Sequence, residues 1–162
     1  MNRFRNPLVW VRRFRHRRGY GIHSPFAYNF VTQVLYTPGH YYAEEGMFTW
    51  RDYLLCPRRT AIYRLMFRLA NFWQPSVIYT PAEFQTYLHA GCRGAALCEE
   101  GGVLRMDGER GELEVYLALP DRKAEWEEVL RRRDTVLSFD LYDLGIVFRR
   151  IDLKPQHYVI NW

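Results

Sequence analysis

The chain has 162 residues, 48% of them hydrophobic and 17% aromatic, and carries a formal charge of +5. That length and apolar content support one packed core and exclude a disordered chain. The charge is uneven: Arg3, Arg5, Arg12, Arg13, Arg15, Arg17 and Arg18 stand in an opening stretch without an acidic residue, and all 18 Asp and Glu lie beyond Ala43. No stretch approaches the roughly 20 apolar residues of a spanning helix. The apolar run Leu8–Val11 stops at Arg12, so a cytoplasmic location is the expectation. Cys56, Cys92 and Cys98 are odd in number and lack C-x-x-C spacing, which favours idle thiols over a metal site.

In chain order, Asn6-Pro7 opens a short arm helix with arginines nearly all round it. Ser24-Pro25 is a stronger start, a cap followed by a proline suited to the first helical position, with Phe26, Phe30, Val34 and Leu35 at helical spacing and a stop at Thr37-Pro38-Gly39. Thr49 caps a second helix that Pro57 ends, and Thr60 caps a third. In that third helix Ile62, Leu65, Met66, Leu69 and Phe72 form a core-facing stripe that closes at Gln74-Pro75. Beyond Ser76 the period changes. Val77–Tyr79 reads as a buried strand, Pro81–His89 as a helix and Ala95–Cys98 as a strand. Asp107-Gly108 is a turn dipeptide before the alternating Leu113, Val115, Leu117 and Leu119. Asp121–Arg133 is an amphipathic helix, and Thr135–Leu141, Gly145–Arg149 and His157–Ile160 are closing strands.

Two stretches resemble one family. Arg18-Gly19-Tyr20-Gly21-Ile22-His23-Ser24-Pro25-Phe26 is similar to the entry segment of a bacterial group of class I S-adenosylmethionine-dependent methyltransferases. Leu141–Phe148 with Gln156–Ile160 resembles that group's C-terminal strands. The resemblance implies a first strand ending in an acidic residue and a glycine-rich loop that lets backbone approach the cofactor. Here Tyr79 stands in the acid's place and Pro81 in the first glycine's, and proline supplies neither the conformation nor the N–H. Glu99 or Glu100 occupies the place of the ribose-binding acid, so Glu100 and Thr80 are the vestigial cofactor-binding residues that the resemblance implies. Between Glu100 and Leu113 the family has two strands with their helices, whereas Gly101–Glu112 has room for a hairpin and little more.

Other reactive-looking residues have plainer readings. His23 belongs to a cap motif without a partner acid, and His157 reads as packing within an apolar strand. Glu125, Glu127 and Glu128 form a solvated helix face from which Trp126 points inward. Asp140 and Asp143 either flank a turn or line the carboxyl edge of the sheet.

The expected fold is therefore α/β, a reduced Rossmann-like, methyltransferase-like sheet with an N-terminal helical cap and C-terminal antiparallel strands. It forms one domain over 1–162, divided into a basic arm at 1–18, a cap at 19–75 and the sheet at 76–162. The expected function is non-catalytic association with a protein partner or a second copy, with no catalytic residue, metal or cofactor assigned. One apolar sheet edge, exposed by the deletion, is the expected contact. One alternative is a minimal S-adenosylmethionine-dependent methyltransferase. A second is a binder of nucleic acid or anionic membrane through Arg12, Arg13, Arg15, Arg17 and Arg18.

Overall fold

The computed structural model describes residues 11, 13–14, 21–37, 41, 46–150 and 152–162. The predicted arm helix at Asn6-Pro7 falls outside them, as do Arg12, Arg15, Arg17, Arg18, Pro38 and Gly39.

Helix α1 (Pro25–Phe30) begins as the sequence suggests. The Ser24 hydroxyl accepts from the Ala27 N–H and proline fills the first turn. The helix continues into a π-helical turn, Val31–Leu35, whose Val31, Val34 and Leu35 are buried. Helix α2 (Trp50–Leu55) carries a complete capping box between Thr49 and Asp52. Pro57 does not simply end α2: it opens α3 (Pro57–Trp73), because a first-turn position asks nothing of its missing N–H. Thr60 is therefore not a cap. It lies one turn into α3, buried, and its hydroxyl donates to the Asp52 carbonyl. Gln74 ends α3 with a left-handed φ of 51°.

A seven-stranded mixed sheet follows, in the order β2-β1-β3-β4-β6-β5-β7. Strand β1 (Val77–Thr80) leads into α4 (Ala82–Gly91), then β2 (Ala96–Glu99) pairs parallel to β1. The predicted hairpin appears as β3 (Leu104–Gly108) and β4 (Gly111–Leu117), wedged in by an antiparallel β3–β1 pairing. Its turn is one step later than expected: Asp107 and Gly108 belong to β3, opposite Glu112 and Gly111, and Glu109-Arg110 make the reversal. Gly111 supplies the φ of 119° that the return needs. After α5 (Lys123–Arg131), β5 (Leu137–Asp140) and β6 (Leu144–Arg149) form a hairpin in which β6 runs antiparallel between β4 and β5. Strand β7 (Gln156–Val159) closes the edge, parallel to β5.

One sheet face carries the main core. Leu65, Met66 and Leu69 of α3 are 0–1% exposed, and they share a cluster with Ile78, Leu113, Val115, Ile146 and Phe148. Ile62 and Phe72 pack on its margin. Phe30 fills the centre, with ring centroids 4.9 Å from Phe139 and 5.1 Å from Phe148. Helix α4 lies along α3 at close range. A Cβ on Gly91 would sit 2.3 Å from the Phe67 carbonyl oxygen. Gly91→Ala should therefore push α4 off α3 and cost about 1–3 kcal/mol, visible as a lower urea midpoint. An unchanged midpoint would contradict that close approach.

The second face is only half covered. Trp126 and Val129 of α5 pack on Tyr116 and Val147, with the Trp126 ring against Gly145. On the other half no helix lies against β2, β1 and β3 among the described residues. There Ala96 and Cys98 are exposed and Val77 and Tyr79 half-buried. The apolar surface expected from the missing elements is not what this half shows. The Arg105 guanidinium lies 4.2 Å from the Tyr79 ring centroid, and Arg105 and Arg150 pair with Asp107 and Glu112. Ion pairs and a cation–π contact occupy ground that a helix would otherwise have made apolar.

Candidate functional site

The parallel strands β1 and β4 end on the same side of the sheet, where open α/β sheets carry their ligands. A cavity of about 450 Å³ opens there. Its apolar wall is Ile62, Phe84, Leu117, Ala118 and Pro120, and its polar groups are Arg58, Arg59, Tyr63, Glu83, Asp121 and Asp143. Each arrives by a local rule. The proline start of α3 sets Arg58 and Arg59 in the first turn, Glu83 lies in the first turn of α4, and Asp143 sits in the β5–β6 turn.

The polar groups form two internal sets. Arg58 Nε donates to the Asp143 carboxylate while its guanidinium stacks 4.4 Å from the Trp162 ring centroid. Arg58 Nη2 is buried without a partner. On the other side Arg59 Nε donates to the Tyr63 hydroxyl at 2.7 Å, and that hydroxyl stands 3.4 Å from Glu83. This hydrogen bond holds the Arg59 pKa above its ordinary value. An apolar wall between two charged ends suits a small ligand with an apolar body and a polar head.

The β5–β6 turn organises this end. Tyr142 adopts a φ of 76°, and its N–H donates to Asp140 Oδ1 at 2.8 Å. Asp140 also receives both ends of the Arg13 guanidinium, at 2.9 and 3.0 Å, with Arg13 5.5 Å from the Tyr142 ring centroid. Both aspartates are thus turn residues and sheet-edge residues at once.

The residues named from sequence fall as follows. Thr80 is fully buried at the end of β1, with its hydroxyl on the Pro81 carbonyl. Glu100 follows β2, exposed, and its N–H donates to the Thr80 carbonyl at 3.1 Å. Neither lines the cavity. Arg13 is held by Asp140. His23 is exposed beside the Ser24 cap. His157 stands on edge strand β7, where it shares a 2.9 Å hydrogen bond with Ser138 and its ring centroid lies 6.5 Å from that of Trp126, and burial pulls its pKa below the ordinary value. Trp126 points inward as expected. Arg58, Arg59, Tyr63 and Asp121 were missed by sequence reasoning. A pair of arginines directly after a helix-starting proline was the signal available.

Among the described residues no group of three or more His, Cys, Asp or Glu is placed to hold a metal ion, and no helix is long and apolar enough to cross a membrane. What the geometry defines is a mixed α/β protein with a cleft at the carboxyl edge of its sheet. No protein-family model, curated protein or solved structure matches the chain.

Proposed function

We propose that the chain is a non-catalytic, degenerate methyltransferase-like protein that acts by association with a protein, a second copy being the first candidate. The observation carrying this is the β1–α4 junction. Strand β1 ends at Thr80 and α4 begins at Ala82, so a single residue, Pro81, joins them. A glycine-rich cofactor loop needs several residues with free N–H groups, and Pro81 has none. The residue in the acid's position, Tyr79, points to the opposite face under Arg105. The reversed strand β6 inside the C-terminal half supports the methyltransferase-like part of the reading, since the resemblance implies antiparallel strands there.

The partner surface is the uncovered half of the sheet with the free edge of β2. Cys98, exposed on edge strand β2, reports on it. In a Cys56→Ser background, maleimide labelling of Cys98 should slow as protein concentration rises, while the light-scattering mass climbs above one chain. Labelling and mass that ignore concentration would remove self-association.

The cavity supports the alternative, a minimal S-adenosylmethionine-dependent methyltransferase, because it lies beside Glu83 and Phe84 directly after Pro81. Under that reading Glu100 and Thr80 remain the cofactor residues. Their position outside the cavity lining places this reading second.

A further inference from the structure

Strand β2 ends the sheet, and among the described residues no strand pairs with its outer side. Its inner side fixes the direction of its backbone groups. The Ala96 N–H donates to the Ser76 carbonyl at 2.9 Å, and the Glu100 N–H donates to the Thr80 carbonyl at 3.1 Å. Successive strand residues turn these groups to opposite sides, so the N–H and C=O of Leu97 and Glu99 face outward. Sheet edges are commonly guarded by lysine, proline or a bulge. Ala96-Leu97-Cys98-Glu99 has neither lysine nor proline, and its register with β1 runs without a bulge.

A second copy of β2 fits this edge in one register. An antiparallel two-fold centred on Cys98 sets Leu97 opposite Glu99 of the second copy, and every outward group then has a partner. Centring on Ala96 or Leu97 would call on the Ala95 N–H, which already donates to the Cys92 carbonyl at 3.3 Å. Centring on Glu99 would set two like charges directly opposite each other. Charge favours the same arrangement. Arg93, exposed and in no ion pair among the described residues, precedes the strand, and the exposed Glu99 and Glu100 close it. Antiparallel pairing brings the acidic end of each copy toward the basic end of the other. A parallel neighbour would align like ends and leave an open edge for the next copy.

We propose that two copies of the chain join by antiparallel pairing of β2 with β2, which extends the sheet across a two-fold axis at Cys98. This deepens the self-association read above and rests on it. So short a strand offers few backbone bonds, and the pair forms and separates with concentration.

The test uses the full chain with Cys56→Ser, which leaves Cys98 as the exposed thiol beside the buried Cys92. Facing Cα atoms at a non-hydrogen-bonded antiparallel pair stand about 4.5 Å apart, within disulfide range. Diamide, which takes up the two thiol hydrogens as it is reduced, should therefore link the two Cys98 sulfurs. Light scattering should show the mass rising from one chain toward two. Moving the thiol one residue, in Cys98→Ser/Glu99→Cys, should slow linkage about tenfold or more, because the new side chain lies on the other face. Leu97→Pro removes an outward N–H that β1 does not use, and Arg93→Glu removes the charge match. Each should weaken association about tenfold or more, and Arg93→Glu carries the test if the proline disturbs the fold. Association that both variants leave intact, or equal linkage at the two thiol positions, would overturn the edge pairing while self-association stands. A mass of one chain at every concentration would overturn both.

Discussion

Leu69→Ala is expected to destabilise the protein by about 2–5 kcal/mol, the range for emptying a fully buried leucine site. Leu69 is 0% exposed and lies in the cluster that joins α3 to the sheet. The neighbours that would have to collapse into the gap include Phe30, Trp73 and Phe148, whose rings already hold one another edge to face. Collapse is therefore limited and the upper half of the range is expected. Urea denaturation followed by far-UV circular dichroism measures it. A loss below about 1 kcal/mol would mean that α3 does not face the sheet and that the single-core description is wrong.

The second large effect is expected from Glu114. Its carboxylate accepts from Arg149 Nε at 2.9 Å, Arg149 Nη2 at 2.7 Å and the Tyr116 hydroxyl at 2.7 Å. The Arg149 side chain is 3% exposed, so removing the carboxylate leaves a buried guanidinium short of its main partner. Breaking one side of a buried pair costs about 3–5 kcal/mol. Asp134, 2.8 Å from Arg149 Nη1, keeps Glu114→Ala near the lower end. The double variant Glu114→Leu/Arg149→Met should recover most of the loss, because no charge is then stranded. A double variant as unstable as the single would contradict the account. The same network has a signature at high pH. Burial, with the hydrogen bond to Glu114, pushes the Tyr116 phenol from its ordinary 10.0 up to about 12. The folded state favours the protonated phenol, so this contribution is full below pH 10 and declines as pH rises from about 10 to about 12.

Much of the fold was legible because local chemistry and tertiary structure agree in it. The Ser24-Pro25 start, the Thr49 cap and the α3 stripe survive packing. The alternation of β4 holds at Leu113 and Val115 but breaks off after Leu117, because Leu119 enters a 3-10 turn and packs with Trp126 on the other face. The misses lie where one residue type serves two purposes. Proline after a helix reads as a stop, yet Pro57 is a first-turn residue of the next helix, which leaves Thr60 inside rather than before it. Asp-Gly reads as a turn, yet Asp107 is spent pairing with Arg105 and Arg150 on the open half of the sheet. The cavity was the least legible part. Arg58 and Tyr63 of α3, Phe84 of α4, Leu117 of β4 and Asp143 of the β5–β6 turn come from four separate parts of the fold, and no sequence period relates them. The hairpin at Leu104–Leu117 was legible from the short stretch after Glu100, whereas the half-bare sheet face beside it was expected to be apolar. Its polar character was not legible, because it depends on the register that sets Arg105 opposite Tyr79 and Glu114.

The most direct test of the central claim is calorimetric titration of the purified chain with S-adenosylmethionine at high protein concentration. Under the proposed reading the one-residue junction at Pro81 offers no backbone approach, and Glu100 and Thr80, the residues that the resemblance implies for the cofactor, both lie outside the cavity lining. Losing contacts of about 1–3 kcal/mol each takes micromolar binding to millimolar or weaker. The account predicts no measurable heat of binding. A dissociation constant in the low micromolar range, abolished by Glu100→Ala, would contradict it and make the chain an enzyme in search of its substrate.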